Sequence, residues 1–272
     1  MMPRDEARSA MPSLSGRILR LDAAHGLARS GLRGFVDLVF PPRCAVCSID
    51  LEDRTTDTLI CSECRESFGS LGQRCPRCAA PWTRHAAASN DCMYCKKRRY
   101  RFSATIAAGP YRDQLRDVVL RTKTARNQTL TVAMGRYLAE LLDQAAWTRE
   151  VSLIASVPMI WTRRLMRGGN TSETLAATIG RQLRIKSNPR ILRLRRRLHK
   201  QGTLLPGQRF RNMRGAFRVK AGYDLEGACV LLVDDVMTTG ATANAAARAL
   251  RDAGAGEVRV AVIARGVGLD LV

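Results

Sequence analysis

Four CxxC pairs lie within one short stretch of the chain and restrict how that stretch can fold. Eight of the nine cysteines form these pairs: Cys44/Cys47, Cys61/Cys64, Cys75/Cys78 and Cys92/Cys95. A CxxC knuckle presents two thiolates to one tetrahedral Zn²⁺, whereas disulfides are rare in a reducing compartment. The pattern therefore predicts two structural zinc sites, each with four cysteine ligands. A redox CxxC or scattered buried thiols would be the alternative, and four pairs so close together disfavour both.

The spacing of the pairs indicates a duplicated unit. Thirteen residues separate the first pair from the second, ten the second from the third, and thirteen the third from the fourth. We expect the first two pairs to share one ion and the last two to share the other, although spacing alone leaves the pairing open. Modules this small bury too little apolar surface to fold alone, so zinc is expected to hold them together.

Positive charge dominates the chain. It has 45 Lys and Arg against 24 Asp and Glu, a formal net charge of +21. Such an excess suits phosphate-bearing partners, either nucleic acid or a polyphosphate metabolite, and basicity that serves only solubility is the alternative. No apolar stretch reaches the ~20 residues of a spanning helix, and no secretory signal is evident, so we expect a cytoplasmic chain without membrane insertion.

Two segments concentrate this charge. Residues 181–220 hold fourteen Lys and Arg and no acid, which predicts contact with a polyanion. The candidate nucleic-acid ligands are Arg193, Arg195, Arg196, Arg197 and Lys200. The second segment, "KKRRYRF" at residues 96–102, interleaves cations with aromatic residues; it could grip a nucleic acid and stack its bases, or it could be a solvated linker.

From about Ala104 onwards, apolar strand patterns alternate with helical ones. "ATIAAGPY", "VSLIASVP", "ACVLLVD" and "EVRVAVIA" are typical of buried strands, and a helix is expected from Thr171 to about Arg184 with Asn170 as its cap. This alternation predicts an α/β fold with a parallel sheet and right-handed crossovers. Ligands of such sheets bind outside the carboxyl ends of the strands.

The stretch "VLLVDDVMTTGAT" at residues 230–242 lies at such an end. Asp234 and Asp235 close the apolar run, and a small hydroxyl-rich turn leads into the next helix. A helix N-terminus with nearby hydroxyls is an anion site, while paired carboxylates suit sugar hydroxyls or a Mg²⁺-bound group. Together they predict a ribose 5-phosphate ligand. An ordinary capped loop is the alternative, and an ATPase is disfavoured because no GxxxxGK[ST] motif occurs.

The same thirteen residues resemble the phosphoribosyl pyrophosphate (PRPP) signature of type I phosphoribosyltransferases. Three further segments are similar to the competence-associated ComF family: "FVDLVFPPRCAVC", "SVPMIWTRRLMRGGN" and "RFRNMRGAF". The resemblance covers roughly residues 35–265. It implies a type I phosphoribosyltransferase-like parallel sheet flanked by helices over residues 101–272. A double zinc ribbon over 35–100 and a flexible segment over 1–34 would precede it.

The resemblance also implies roles for individual residues. Asp234 and Asp235 would be catalytic, taking the ribose hydroxyls and steadying positive charge on the sugar. The 5′-phosphate would lie on Thr238, Thr239, Gly240, Ala241 and Thr242, and the pyrophosphate on Ser156, Val157, Pro158, Arg163 and Arg164. Mg²⁺ would accompany PRPP.

The implied function is that of a PRPP-binding protein that assists internalised single-stranded DNA in natural transformation, with competence-machinery proteins as further partners. Whether the site also acts as a phosphoribosyltransferase is left open by the sequence. Two alternatives remain: a metabolic phosphoribosyltransferase (amidophosphoribosyltransferase-like or salvage) with a small acceptor, and a non-catalytic PRPP sensor that binds nucleic acid.

Overall fold

The computed structural model describes residues 41–51, 58–69, 73–82, 92–96, 98–159, 169–195 and 206–266. Several predictions fall outside these ranges, namely the flexible segment 1–34 and the candidate ligands Arg163, Arg164, Arg196, Arg197 and Lys200. The domain boundary expected near residue 100 also stays a prediction.

Helices and strands alternate through most of the described chain. The helices are α1 (Ser62–Ser67), α2 (Met93–Lys96), α3 (Asp113–Thr122), α4 (Gln128–Asp143), α5 (Thr171–Leu183), α6 (Pro206–Met213) and α7 (Ala241–Arg251). The strands are β1 (Ala104–Pro110), β2 (Leu153–Ser156), β3 (Leu192–Leu194), β4 (Phe217–Val219), β5 (Cys229–Met237) and β6 (Glu257–Arg265). None of these helices is long and apolar enough to cross a membrane.

Four strands form a parallel sheet in the order β1-β6-β5-β2, which confirms the predicted fold class. Ser156 pairs with Val233 and Met237 pairs with Arg265, so β5 extends beyond the end of β2 at the carboxyl edge. The extra residues of β5 are those that carry the two aspartates. A separate antiparallel pair joins β3 to β4.

Both faces of the sheet are covered, as the continuous apolar runs of its strands require. Val230 and Leu232 pack in one buried cluster, which includes the alanines of α7. Leu231 and Val233 pack in the other cluster, with apolar residues of α3, α4 and α5. The alternation along β5 therefore divides the core into two layers.

Helix α5 begins where its sequence predicts and brings its first turn to the ligand edge. The side chain of Asn170 accepts a hydrogen bond from the Ser172 peptide N–H at 3.2 Å, which caps the helix. The helix ends at Leu183, one residue before the predicted end, because Arg184 adopts a left-handed conformation with φ of 57°. The first turn of α5 is thereby fixed beside the end of β2.

The two cysteine modules lie against opposite layers of the core, both beside the edge strand β1. The first ribbon (residues 41–51 and 58–69) packs with α3 and α4, and Arg121 of α3 donates to the Val46 carbonyl at 2.7 Å. The second ribbon (residues 73–82, 92–96 and 98–102) packs with α7, and Thr105 of β1 donates to the Arg77 carbonyl at 2.7 Å. β1 thus contacts both modules directly, since the Phe68 carbonyl of the first ribbon lies against Gly109.

Candidate functional site

A cavity opens at the carboxyl end of β5. Its lining consists of residues 234–243 and Val262, and so includes Asp234, Asp235, Thr238, Thr239, Gly240, Ala241 and Thr242 together. These seven residues are the candidate catalytic residues and the 5′-phosphate ligands predicted from the sequence. The β5–α7 loop (residues 238–240) forms the floor between the acids and the first turn of α7.

The loop offers hydrogen-bond donors from its backbone. Within the part of the chain that the structure describes, the peptide N–H groups of Thr238, Thr239 and Gly240 donate to no protein acceptor. Gly240 has φ of 75°, a left-handed conformation that glycine adopts without strain, and α7 begins at the next residue. Consecutive free N–H groups before a helix N-terminus form a concave anion site.

Asp234 is the more shielded of the two acids. Its carboxylate accepts from the Ser172 hydroxyl at 3.0 Å and from the Asp235 peptide N–H at 2.9 Å. Burial raises the pKa of Asp234 to about 8, and the negative charge of Asp235 adds to this rise. The carboxyl group is therefore suited to bind neutral hydroxyls or to lose its proton to a cation.

Three side chains that sequence reasoning missed complete this region. The Lys123 ammonium lies 3.5 Å from the Asp235 carboxylate, Ser172 binds Asp234, and Arg209 of α6 donates to the Thr238 hydroxyl at 3.3 Å. Lys123 stands in the segment "TKTARNQT" (residues 122–129), where the helical spacing of apolar residues over 113–142 is interrupted. That break at the sheet's ligand edge was the signal available for it, and nothing local marks the other two.

The predicted pyrophosphate turn lies beside the acids. The Val157 N–H donates to the Val233 carbonyl at 3.0 Å, and the Asn170 amide donates to the Val157 carbonyl at 3.2 Å. The hydroxyl of Ser156 is buried without a hydrogen-bond partner among the described residues. Pro158 follows within the described residues, so the turn is placed while its predicted arginines lie outside them.

A second cavity lies where α3, α4 and α5 meet. The described residues of its lining are polar for the most part and include no acid: residues 122–125, Gln128, Thr131, residues 169–171 and Thr174. Lys123 belongs to this lining and also pairs with Asp235. Lys123 therefore lines the second cavity and forms an ion pair with an acid of the first.

The eight CxxC cysteines form two clusters with the predicted pairing. Sγ–Sγ distances are 3.8 and 3.7 Å across the first ribbon and 3.7 and 3.6 Å across the second. Within each cluster all four sulfurs lie within 4.8 Å of one another. Tetrahedral zinc with Zn–S bonds of about 2.3 Å separates its sulfurs by roughly 3.8 Å, so both clusters fit the ion.

The predicted nucleic-acid ligands Arg193 and Arg195 lie on an exposed face of the β3–β4 pair. Arg193 stands directly opposite Arg218, and both are exposed. Lys220 extends the same face. No carboxylate of the described residues pairs with these four cations, although like charges opposite one another destabilise a strand pair.

The aromatic residues of "KKRRYRF" do not face solvent. Tyr100 and Phe102 are 6% and 1% exposed and stack on each other with ring centroids 4.7 Å apart. They are therefore core residues and have no free faces for nucleic-acid bases. Arg98 and the Tyr100 hydroxyl instead donate to the Thr239 carbonyl, each at 3.0 Å.

Two family models match this chain. A double zinc ribbon domain matches residues 35–97, and a phosphoribosyl transferase domain matches residues 171–268. They cover the two cysteine clusters and the cavity at β5, respectively. A structure of glutamine PRPP amidotransferase from B. subtilis is 23% identical, with a TM-score of 0.34 over 49% of this chain and 26% of that one.

Curated relatives cover most of the chain. "DNA utilization protein YhgH" of Escherichia coli K12 is 28% identical over 76% of this chain and 90% of its own length. "Competence protein F" of Haemophilus influenzae is 27% identical over the same shares. "Competence protein ComFC" of Streptococcus pneumoniae is 28% identical over 78% of this chain and 90% of its own.

Zinc content tests the two clusters. Because each holds four thiols at tetrahedral spacing, elemental analysis should find two zinc ions per chain. The double variants Cys47→Ser/Cys61→Ser and Cys78→Ser/Cys92→Ser should each retain one ion. A wild-type value near zero would contradict the assignment.

The raised pKa of Asp234 should make the free energy of unfolding depend on pH. Between its ordinary pKa of 3.8 and about 8, Asp234 ionises in the unfolded state but stays protonated in the folded one. Folding therefore binds a proton, and stability falls as pH rises through this window. Asp234→Asn removes that penalty, so its urea midpoint should rise relative to wild type from pH 5 to pH 8 and then level off. A difference independent of pH, or one shared by the exposed control Asp117→Asn, would refute the shift.

Proposed function

Because this chain belongs to the ComF family, we propose that it binds Mg²⁺–PRPP at the β5–α7 loop and handles internalised single-stranded DNA in natural transformation. The observation that carries the first part is one cavity that holds two neighbouring carboxylates and three peptide N–H groups without an acceptor among the described residues. A phosphate and a diol joined by a single ribose ring satisfy both sets of groups at once.

Each half of the site has its own chemistry. The N–H groups of Thr238, Thr239 and Gly240 would bind the 5′-phosphate, as free donors before a helix commonly do. Asp234 and Asp235 would accept hydrogen bonds from the ribose 2′- and 3′-hydroxyls. In the same position the charge of Asp235, and that of Asp234 once its proton is lost, would stabilise positive charge that develops on the ribose when pyrophosphate departs.

The pyrophosphate would extend towards the second cavity. That cavity supplies hydroxyls and the Lys123 ammonium, and its described lining residues include no acid, so an anionic group meets no repulsion from them. Mg²⁺, when bound, would offset charge on the pyrophosphate oxygens, and carboxylate oxygens such as those of Asp235 are ligands it accepts.

DNA handling is supported by the basic face of the β3–β4 pair. Arg193 and Arg218 repel each other across the two strands, and neighbouring phosphates of a bound strand would turn that repulsion into attraction. The relatives whose names refer to competence and DNA utilization are similar to this chain over about three quarters of its length. Contacts of this kind hold the backbone and leave the base sequence unread.

Location and partners follow from the same proposal. Eight thiolates that ligate zinc require reducing surroundings, which supports a cytoplasmic site of action. There the protein would meet DNA as it enters, and proteins of the competence machinery are its expected partners.

Ligand binding tests the acid pair. Asp234→Asn/Asp235→Asn should reduce the affinity for Mg²⁺–PRPP in calorimetry at least about tenfold, because two charge-assisted contacts to the ligand are weakened. Asp117→Asn/Asp143→Asn, which changes two exposed aspartates elsewhere, is the matched control. Unchanged affinity in the first double variant would overturn the site.

Pyrophosphate release separates the alternatives for the same site. Release from Mg²⁺–PRPP that requires a small acceptor would identify a metabolic phosphoribosyltransferase. Tight binding without release, in the presence and absence of single-stranded DNA, would identify a binding protein.

Salt dependence tests the basic face. If Arg193 and Arg218 each contact one phosphate, Arg193→Gln/Arg218→Gln should lower the slope of log affinity against log salt for single-stranded DNA by about 1.4. Arg149→Gln/Arg251→Gln removes two exposed cations from other positions and should leave the slope unchanged. Equal slopes in both variants would show that the β3–β4 face does not contact DNA phosphates.

A further inference from the structure

The β5–α7 loop is held on its carbonyl side by groups that belong to, or bridge to, the second ribbon. Three successive carbonyls are involved: those of Met237, Thr238 and Thr239. Arg265 donates to the first at 3.0 Å and also to the second, while Arg98 and Tyr100 donate to the third. All three carbonyls are therefore occupied on the side that faces the ribbon.

Arg265 connects the loop to the zinc knuckle itself. Its Nε donates to the carbonyl of Cys78, a predicted zinc ligand, at 2.7 Å, and its guanidinium lies 5.7 Å from the ring centroid of Tyr94. Tyr94 stands between the other two ligands of this cluster, Cys92 and Cys95. One side chain, 1% exposed, thus spans from the cysteine cluster to the loop.

Tyr100 closes the contact from the other end of the loop. A Cβ atom added to Gly240 would lie 2.9 Å from a ring carbon of Tyr100, so the ring rests directly against the glycine backbone. The peptide N–H of Arg98 donates to the Cys95 carbonyl at 3.0 Å, which holds Arg98 beside the second cysteine cluster. The second ribbon therefore contacts the loop directly at Thr239 and Gly240, and through Arg265 at Thr238.

The direction of these three carbonyls determines where the peptide N–H groups of residues 238–240 point. The peptide bonds are trans, and in a trans peptide the C=O of one residue points opposite to the N–H of the next. The Met237 carbonyl is turned towards β6 and Arg265, and those of Thr238 and Thr239 towards Arg265 and the ribbon donors, so the next three N–H groups point away from these partners. These are the N–H groups of residues 238–240, which have no protein acceptor among the described residues.

We propose that the zinc-bound second ribbon orients the peptide groups of the β5–α7 loop, so that phosphate binding depends on the second zinc site and not on the first. Arg265, Arg98 and Tyr100 are the positioning residues. The inference rests on the proposed function for the identity of the ligand. The first ribbon serves as an internal comparison, because its described contacts run to α3, α4 and β1, such as Arg65 to Glu140 at 2.9 Å.

Matched removal of the two ions tests the dependence. Cys78→Ser/Cys92→Ser should bind Mg²⁺–PRPP at least about tenfold more weakly than wild type, since the oriented donors are lost. Cys47→Ser/Cys61→Ser should bind within about twofold of wild type. Zinc analysis must show one ion in each. Equal losses, or no loss in the first variant, would overturn the proposal.

A second variant that keeps both zinc ions tests the proposal even if Cys78→Ser/Cys92→Ser fails to fold. Arg98→Met/Tyr100→Phe removes both donors to the Thr239 carbonyl while retaining side-chain bulk and all eight cysteines. It should keep two zinc ions and still lose about tenfold in affinity for Mg²⁺–PRPP. Wild-type affinity in this variant would contradict a positioning role.

Hydrogen exchange without ligand separates this inference from the proposed function. The N–H of Asn244 donates to Gly240, and that of Gly266 donates to Met237, so both amides report on the loop. Their exchange should accelerate in Cys78→Ser/Cys92→Ser and not in Cys47→Ser/Cys61→Ser. Wild-type protein that fails to bind Mg²⁺–PRPP would defeat the proposed ligand, whereas unchanged exchange would defeat the coupling.

Discussion

The ligand edge of this protein depends on the hydrogen bonds that the Arg265 guanidinium donates to backbone carbonyls. This side chain is almost fully buried, and a buried charge is costly unless it is hydrogen-bonded. Its partners are carbonyl oxygens of Cys78, Met237, Thr238 and Gly266, drawn from the second ribbon, the end of β5 and the end of β6. Ribbon, sheet and loop can satisfy this charge only when all three are assembled.

This contact gives the two zinc modules different relations to the sheet. The first ribbon buries its cysteines among the side chains of α3 and α4, away from the β5–α7 loop. The second packs with α7 and reaches the loop through Arg98, Tyr100 and Arg265. Both lie beside β1, an edge strand whose free side would otherwise be open to pairing with another chain.

Unfavourable electrostatics mark the two surfaces where we place ligands. Once Asp234 ionises it repels Asp235 at the end of β5, and Lys123 offsets this only in part. Arg193 and Arg218 repel each other across β3 and β4. A diol or Mg²⁺ would relieve the first repulsion, and a polyanion would relieve the second. In both places the folded protein keeps like charges close together, and a bound ligand would remove that repulsion.

The sequence by itself determined the features that depend on neighbours along the chain. Ligand spacing within CxxC pairs, apolar runs of strand length and the cap at Asn170 are local patterns, so the zinc clusters, the parallel strands and the start of α5 were predictable. Tertiary structure alone decided which side chains reach the loop. Ser172, Arg209 and Arg265 reach the ligand edge because of strand order and helix packing, and the order β1-β6-β5-β2 is not written in any local pattern. The same reason decided the role of Tyr100, which the sequence leaves open between a base-stacking residue and part of a linker, and which the packing buries against Gly240.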